Sequence, residues 1–275
     1  MCYILGVGAK EQAWWNEFET NLGNVTEVKG YAEMIGFENQ PIFTSDDSRD
    51  WYSDSASIEV DGDLGVLIDE IKGYFQLWAS ALPAGDDKSV VRIETEQSFF
   101  LTFNYSRTLE RLYGIPEEQI LHIHGCSSQR DSIVVGHGRS YEDIRFDLNN
   151  DSIYSSGGQE DDIPTSQAKD AAADAIYEIH KDVTGIIEAN SAFFQSLDSV
   201  EKVHIYGFSF AETDLPYIDT ILNNVDKEKV MYEVSWFSLS DKDRVIAFFD
   251  SRSLLGQVTL MRLEDIERYT MPGLF

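Results

Sequence analysis

Two polar side chains follow directly on short apolar runs that are typical of buried strands. Asn104 comes after residues 98–103, and His124 comes after residues 119–123. In an open parallel sheet, ligands bind beyond the carboxyl ends of the strands. A histidine at such an end, followed by Gly125, is well placed to act as a general base, because glycine leaves space for a ligand. We therefore predict that Asn104 and His124 are catalytic residues.

Glycines and small polar residues at further strand ends indicate a site for a nucleotide. The apolar residues 2–5 run into Gly6-Val7-Gly8, and a strand followed by a glycine turn lets the backbone approach a diphosphate. The same glycines also suit a tight turn, and Ser106 and Asp214 could instead cap helices. The residues that we predict to bind the nucleotide are Gly6, Gly8, Ser106, Gly125, Gly207, Ser209 and Asp214.

The pair His122 and His124 raises the alternative of a metal site. Residues two apart on a strand share one face, and His-x-His is a common pair of metal ligands. A metal-dependent hydrolase would need further ligands, and these could come from His137, Asp131, Asp214 or Glu110. No spacing in the sequence is specific for this arrangement, so we predict no metal ligand. His204 lies inside an apolar run, and we expect it to be structural.

The elements that must position these residues follow two patterns along the chain. Residues 86–275 alternate between short apolar runs and helical periodicity, which indicates βαβ units and a mostly parallel sheet. Residues 10–85 carry apolar residues at helical spacing and predict a mainly helical N-terminal subdomain. Residues 1–9 would supply a first strand and glycine turn. We therefore predict a Rossmann-like α/β fold, with helices flanking the sheet and residues 1–5 beside residues 99–103.

Composition excludes several classes of protein. Of the 275 residues, 43% are hydrophobic, as in a globular protein with a full core. The chain has no apolar run of the roughly 20 residues that a membrane helix needs, and no signal-peptide pattern, so we expect a cytoplasmic protein without membrane contact. The net charge of −28 argues against non-specific nucleic-acid binding. The two cysteines form neither a disulfide framework nor a zinc module.

Four ordered blocks of sequence carry a resemblance to a known family. They are Phe-Leu-Thr-Phe-Asn-Tyr-Ser-Arg-Thr-Leu-Glu-Arg-Leu-Tyr-Gly at residues 100–114, Ile-Leu-His-Ile-His-Gly at 120–125, Ile-Val-Val-Gly-His-Gly at 133–138, and Ile-Tyr-Gly-Phe-Ser-Phe-Ala-Glu-Thr-Asp-Leu-Pro-Tyr at 205–217. Together they resemble the AbiH family of bacterial phage abortive-infection proteins, and ordered blocks are more specific than any single motif. The resemblance implies a phage-defence protein, with a phage protein as its trigger.

The same blocks resemble, more distantly, the sirtuin-like NAD-binding fold. Residues 101–106 are similar to its strand-end asparagine motif, residues 121–125 to its catalytic His-Gly, and residues 205–209 to the strand end that approaches the adenosine half of NAD. This resemblance implies that Asn104 positions the nicotinamide ribose or a water molecule. It also implies that His124 is the general base.

Departures from the sirtuin pattern narrow the expected function. Sirtuin deacylases have aspartate where this chain has Ser106, a zinc module with four cysteines, and a glycine loop followed by Phe-Asp. We therefore expect no deacylation, but a phage-defence protein that hydrolyses NAD or a related nucleotide in the manner of a glycohydrolase. The alternatives are a non-catalytic sensor that binds a nucleotide or a phage protein, and the metal-dependent hydrolase. The oligomeric state stays open.

Overall fold

The protein is described by a computed structural model that covers residues 1–5, 18–40, 54–81, 89–126, 133–150 and 162–270. The predicted glycine turn with Gly6 and Gly8 lies outside the described residues. Contacts between Cα atoms divide the chain into two units. The first comprises Met1–Asn16, Gln76–Val134 and Asp182–Phe275, and the second comprises Glu17–Phe75 and Val135–Lys181.

The described strands belong to the first unit, and six of them form one parallel sheet. In chain order the strands are β1 (Cys2–Leu5), β2 (Ser89–Val91), β3 (Phe99–Thr102), β4 (Ile120–His122), β5 (Lys202–Tyr206), β6 (Met231–Trp236), β7 (Val258–Arg262) and β8 (Arg268–Thr270). The order in the large sheet is β4-β3-β1-β5-β6-β7, and β2 pairs with β8 in a separate antiparallel ribbon. Cys2 pairs with Phe99 in the parallel ladder between β1 and β3. The predicted Rossmann-like fold is therefore confirmed, as is the strand neighbourhood that it requires.

The described helices connect these strands and build the second unit. In chain order they are α1 (Thr26–Glu38), α2 (Ser55–Ala81), α3 (Thr108–Tyr113), α4 (Tyr141–Asn149), α5 (Ile163–Tyr177), α6 (Val183–Ala189), α7 (Ser191–Gln195), α8 (Leu215–Asn224) and α9 (Leu239–Asp250). Residues 18–22 are also helical. None of the described helices combines the length and the apolar composition that crossing a bilayer requires.

Alternate side chains of the central strands enter two different cores of the first unit. Ile4 and Leu101 belong to the larger core, in which α7, α8 and α9 cover one face of the sheet. Tyr3 and Phe100 point to the opposite face and pack with Leu109 of α3. This alternation follows from the period of two in an extended chain. The strands read as continuous apolar runs because both faces of a parallel sheet are covered.

The second unit is a helical cluster in which α1, α4 and α5 pack together with the first part of α2. Small side chains allow the close approach of α1 and α5, since a Cβ added at Gly36 would lie 2.5 Å from the Cα of Thr165. Residues 135–181 belong to this unit. The sequence pattern predicts that they belong to the α/β domain, which it begins at residue 86. Local pattern sets that boundary, whereas long-range packing between helices places residues 135–181 in the helical unit.

The sequence predicts a short strand at the apolar residues 133–135 and a loop at the polar residues 147–164, and the structure differs from both predictions. Residues 133–135 were expected to form a short strand, yet they have no strand structure. They are held instead by hydrogen bonds from the amide of Val134 to the carbonyl of His124 (2.9 Å) and from the Tyr105 hydroxyl to the carbonyl of Val134 (2.7 Å). The polar stretch 147–164, expected to be a loop, ends inside a helix, because Pro164 occupies the first turn of α5 and Asp162 caps it.

Candidate active site

The strand order of the large sheet reverses between β1 and β5, and a ligand crevice is expected at this reversal. β3 and β4 lie on one side of β1, while β6 and β7 lie on the other side of β5. In doubly wound sheets the ligand binds beyond the carboxyl ends of the strands at such a reversal. The predicted residues in the described part of this edge are Asn104, Ser106, His124, Gly125, Gly207, Ser209 and Asp214.

His124 lies just beyond β4 in a buried aromatic surrounding. Only 3% of its surface is exposed, and its ring packs edge-on against Phe103 (5.2 Å between centroids) and Tyr217 (5.5 Å). Its Nε2 atom is 3.7 Å from Oδ1 of Asp214. Asp214 precedes α8 but makes no side-chain capping hydrogen bond to that helix. The alternative in which the Asp214 side chain caps α8 is therefore not supported, and its carboxylate approaches the histidine instead.

The loop after β5 brings Asp214 to this position. Gly207 adopts a φ of 68°, which glycine tolerates best, and its amide donates to Oγ of Ser235 at 3.0 Å. Phe208 then packs against Phe103, with 4.8 Å between the ring centroids. Ser209 is buried, and its Oγ accepts a hydrogen bond from the amide of Ala211 at 3.3 Å. The loop therefore reaches from the end of β5 across to the residue that follows β3.

Asn104 lies in the half-buried turn after β3. Its amide donates to Oγ1 of Thr102 at 3.1 Å, and its carbonyl accepts a hydrogen bond from Nδ1 of His122, also at 3.1 Å. The capping position of α3 is Arg107, without a side-chain capping bond, so Ser106 does not cap the helix. Ser106 Oγ contacts Oγ1 of Thr108 at 2.9 Å. Asn104 and His124 thus lie at the ends of the neighbouring strands β3 and β4.

The rings of His122 and His124 have different surroundings, contrary to the shared face expected from their spacing. β4 ends at His122, and the amide of Gly125 donates to the carbonyl of His122, closing a turn in which Gly125 has a φ of 83°. The ring of His122 is directed to Glu110, with 3.3 Å between Nε2 and Oε1. Side chains two residues apart share a face only within a strand. Because β4 ends at His122, this rule does not apply to His124.

Glu110 of α3 is held as a carboxylate. Burial would raise its pKa, but hydrogen bonds from its own backbone amide, from Arg107 and from His122 bring the pKa below its usual value. Arg107 Nε lies 3.0 Å from Oε1. The second oxygen, Oε2, is buried and makes no hydrogen bond within the described part of the chain.

The sequence suggests Glu110 and His122 as possible metal ligands but not Cys126, which completes a cluster with them. One ligand atom each from Glu110, His122 and Cys126 lies within 4.8 Å of the others. These residues border a cavity of about 390 Å³ that is also lined by Gly125 and Asn190, whereas Asn104 and His124 are not among its lining residues. The three residues form no known motif in the sequence, so only the packing of α3 beside β4 reveals them.

His137 does not take part in a metal site of the kind considered from the sequence. It belongs to the second unit, where its Nε2 donates to the carbonyl of Ile176 at 3.0 Å and its Nδ1 accepts from the amide of Arg139 at 3.2 Å. Burial lowers the pKa of this ring, which keeps it neutral. Because backbone groups occupy both nitrogens, the structure does not support the alternative in which His137 is a metal ligand.

Comparison with known proteins places the chain in a family. Neither the curated proteins nor the solved structures gave a significant match. The family model described as Bacteriophage abortive infection AbiH matches residues 3–236, which include β1 from Tyr3 onward, β2 to β6 and every residue of the candidate site described above. The chain therefore belongs to the AbiH family of bacteriophage abortive-infection proteins.

Proposed function

We propose that this AbiH protein binds a nucleotide at the carboxyl edge of its parallel sheet and hydrolyses NAD or a related nucleotide there. The observation that carries the proposal is the approach of His124 to Asp214, at 3.7 Å, from the loops after β4 and β5. A carboxylate beside a histidine orients the ring and stabilises its protonated form, as general-base catalysis requires. The reversal of strand order beside these loops supports a nucleotide as the ligand.

The proposed reaction assigns one step to each group. The oxygen of a water molecule bonds to the anomeric carbon of the nicotinamide ribose, and the bond from that carbon to the nicotinamide nitrogen breaks. The bonding electron pair leaves with nicotinamide, and the water proton passes to His124. Asn104 positions the ribose or the water, because its amide can both donate and accept hydrogen bonds. Gly207 and Ser209 lie at the strand end that would approach the adenosine half.

The burial of His124 favours a second candidate function. With 3% of its surface exposed, the ring is already packed among aromatic side chains. A non-catalytic sensor needs no water at this histidine and would use the same strand edge only to bind a nucleotide or a phage protein. Both candidates use this strand edge for binding, but only the enzyme predicts that the nucleotide is hydrolysed.

Nicotinamide release from NAD by the purified chain, with and without a phage lysate as trigger, tests the enzyme. We expect turnover to fall by about 10²–10⁴-fold in His124→Ala, the range expected for losing a general base. Asp214→Asn and Asn104→Ala should also lower it. Asn223→Ala, at an exposed position of α8, serves as the matched control and should not.

Calorimetric titration with NAD, ADP-ribose and ATP, together with plating of phage on cells that carry each variant, completes the design. Nucleotide binding without nicotinamide release, both with and without the phage lysate, would contradict the enzyme and support the sensor. The proposed nucleotide site fails if the folded protein binds none of the three nucleotides and the Asn104 and His124 variants still protect cells.

A further inference from the structure

The cluster of Glu110, His122 and Cys126 lies beside β4 and is not used by the proposed nucleotide chemistry. Its three ligand atoms come from α3, from the end of β4 and from the turn that follows. We propose that these residues bind one zinc ion, and that the fourth ligand position of the ion faces the adjoining cavity.

The donor set suits zinc better than calcium or magnesium. Thiolate sulfur, imidazole nitrogen and carboxylate oxygen are the ligands of Zn²⁺ sites, whereas the harder cations select oxygen ligands alone. With zinc–ligand bonds of about 2.1 Å, two tetrahedral ligands lie about 3.4 Å apart. The observed 3.3 Å between Nε2 of His122 and Oε1 of Glu110 is of this size. Sγ of Cys126 lies within 4.8 Å of one ligand atom from each of the other two residues, so it needs only a small approach.

The hydrogen bonds around the cluster prepare it for a cation. Since a carbonyl only accepts, Nδ1 of His122 donates to the carbonyl of Asn104, and a zinc ion would take the place of the proton that Nε2 donates to Glu110. Metal-binding histidines are oriented by this kind of second hydrogen bond. Oε1 of Glu110 is already held by Arg107, while the buried Oε2 makes no hydrogen bond within the described residues. A metal ion bound by both carboxylate oxygens of Glu110 would also satisfy Oε2, whose burial is otherwise costly.

The cavity decides the type of zinc site. Three protein ligands with one open position are typical of catalytic and exchangeable zinc, while structural sites are closed by four. The cavity of about 390 Å³ has the size of a small-ligand pocket and carries Arg107 on its lining. The site thus has room for a water molecule and for a small anionic ligand at the fourth position.

Titration of the untagged, chelator-treated full-length chain with Co²⁺ tests the site, because cobalt reports its ligands by colour. We expect one equivalent to bind in the presence of excess Mg²⁺, which occupies surface carboxylates, and to produce a thiolate-to-cobalt absorption band. Cys126→Ala should abolish the band. His122→Gln and Glu110→Gln should weaken binding by about 100-fold or more, since the loss of an outer partner alone costs 10–100-fold.

Cys2→Ala is the matched control, because Cys2 is the other buried cysteine and burial raises the pKa of its thiol to about 12. This variant should keep the band and the stoichiometry. The proposal is overturned if folded wild-type protein binds no Co²⁺ beyond the Mg²⁺-competed level, or if the band survives Cys126→Ala. Since nicotinamide release is not measured here, failure of the zinc site leaves the nucleotide proposal standing.

Discussion

Gly136 lies at a point where two backbone segments of the second unit meet. The amide of His137 donates to the carbonyl of Ile179, and the amide of Lys181 donates to the carbonyl of His137. A Cβ added at Gly136 would lie 2.1 Å from the carbonyl oxygen of Ile179, an atom that cannot move without breaking this pairing. Packing therefore requires a glycine at position 136, the first glycine of the Ile-Val-Val-Gly-His-Gly block.

We expect Gly136→Ala to destabilise the protein by about 1–3 kcal/mol or more, the cost of overpacking a filled site. Gly30→Ala is the matched control, because nothing lies within 4 Å of the added Cβ on α1. Alanine favours a helix over glycine by roughly 0.5–1 kcal/mol, so the control should gain stability. Urea unfolding measures both, and equal midpoints for the two variants would contradict the packing argument.

Single residues show how far the sequence predicts the site. The placement of Asn104, His124 and Ser209 at strand ends followed from the apolar runs that precede them. The cluster with Glu110 and Cys126 did not, because its members come from separate elements and meet only when α3 packs beside β4. The expected face shared by His122 and His124 failed because one residue ends the strand and the other lies in the turn.

At the scale of elements, the start of α9 tests how much hydrogen bonds between residues close in sequence stabilise a helix. Oγ of Ser238 accepts from the amide of Asp241 at 3.2 Å, and the Asp241 carboxylate accepts from the amide of Ser238 at 2.9 Å. Two amides at the helix start are thereby satisfied. Burial raises the pKa of Asp241, but the bonds from Ser238 and Arg244 lower it below the usual value, so the carboxylate is charged.

Ser238→Ala should therefore cost about 1 kcal/mol, the usual value for a lost helix cap. Ser238→Thr keeps the hydroxyl and should retain most of that stability. Thermal unfolding of both variants beside the wild type measures the difference. If the alanine variant unfolds at the same temperature as the wild type, the reciprocal hydrogen bonds do not stabilise α9.

Elements in the sheet were more predictable than the segments that leave it. β1 coincides residue for residue with the apolar run at residues 2–5, since a buried parallel strand needs apolar side chains on both faces. Residues 133–135 are as apolar as a strand but are held by Tyr105 and His124, and no sequence pattern reports such a bond. The helical periodicity of residues 167–197 likewise predicts one long helix or two, whereas the structure has the three helices α5, α6 and α7 there.

For the whole molecule, two opposing effects govern how stability depends on pH. The net charge of −28 at pH 7 falls toward zero near the isoelectric point of about 4.3, so acidification relieves charge repulsion and stabilises the fold. Buried histidines act in the opposite direction. Salt separates the two effects, because about 1 M NaCl shortens the screening length to about 3 Å and suppresses repulsion between exposed charges more than interactions inside the core.

Burial lowers the pKa of His137 and of His204 below the usual value. Above pH 6.5 both rings are neutral in the folded and unfolded states, and their contribution is complete. As the pH falls below 6.5, the unfolded chain binds protons that the folded protein does not, so stability is lost until the folded pKa is passed. In about 1 M NaCl we expect a lower urea midpoint at about pH 5.5 than at about pH 7.5. A midpoint that rises on acidification in high salt would contradict this expectation.

His204→Gln separates the contribution of the first unit from that of the second. The ring stacks on Tyr3 at 4.4 Å, and its Nδ1 faces Tyr206 and Glu233, while Lys202 on the same strand also binds Glu233. Glu233 and Glu94 favour the charged ring, but burial outweighs them and Lys202 opposes them, so the pKa stays low. Removing the ring should flatten the high-salt decline between pH 7.5 and 5.5 for the first unit, measured by hydrogen exchange in β1 and β5, and leave α5 unchanged. An undiminished slope in β5 would show that burial of His204 does not set the acid sensitivity of the sheet.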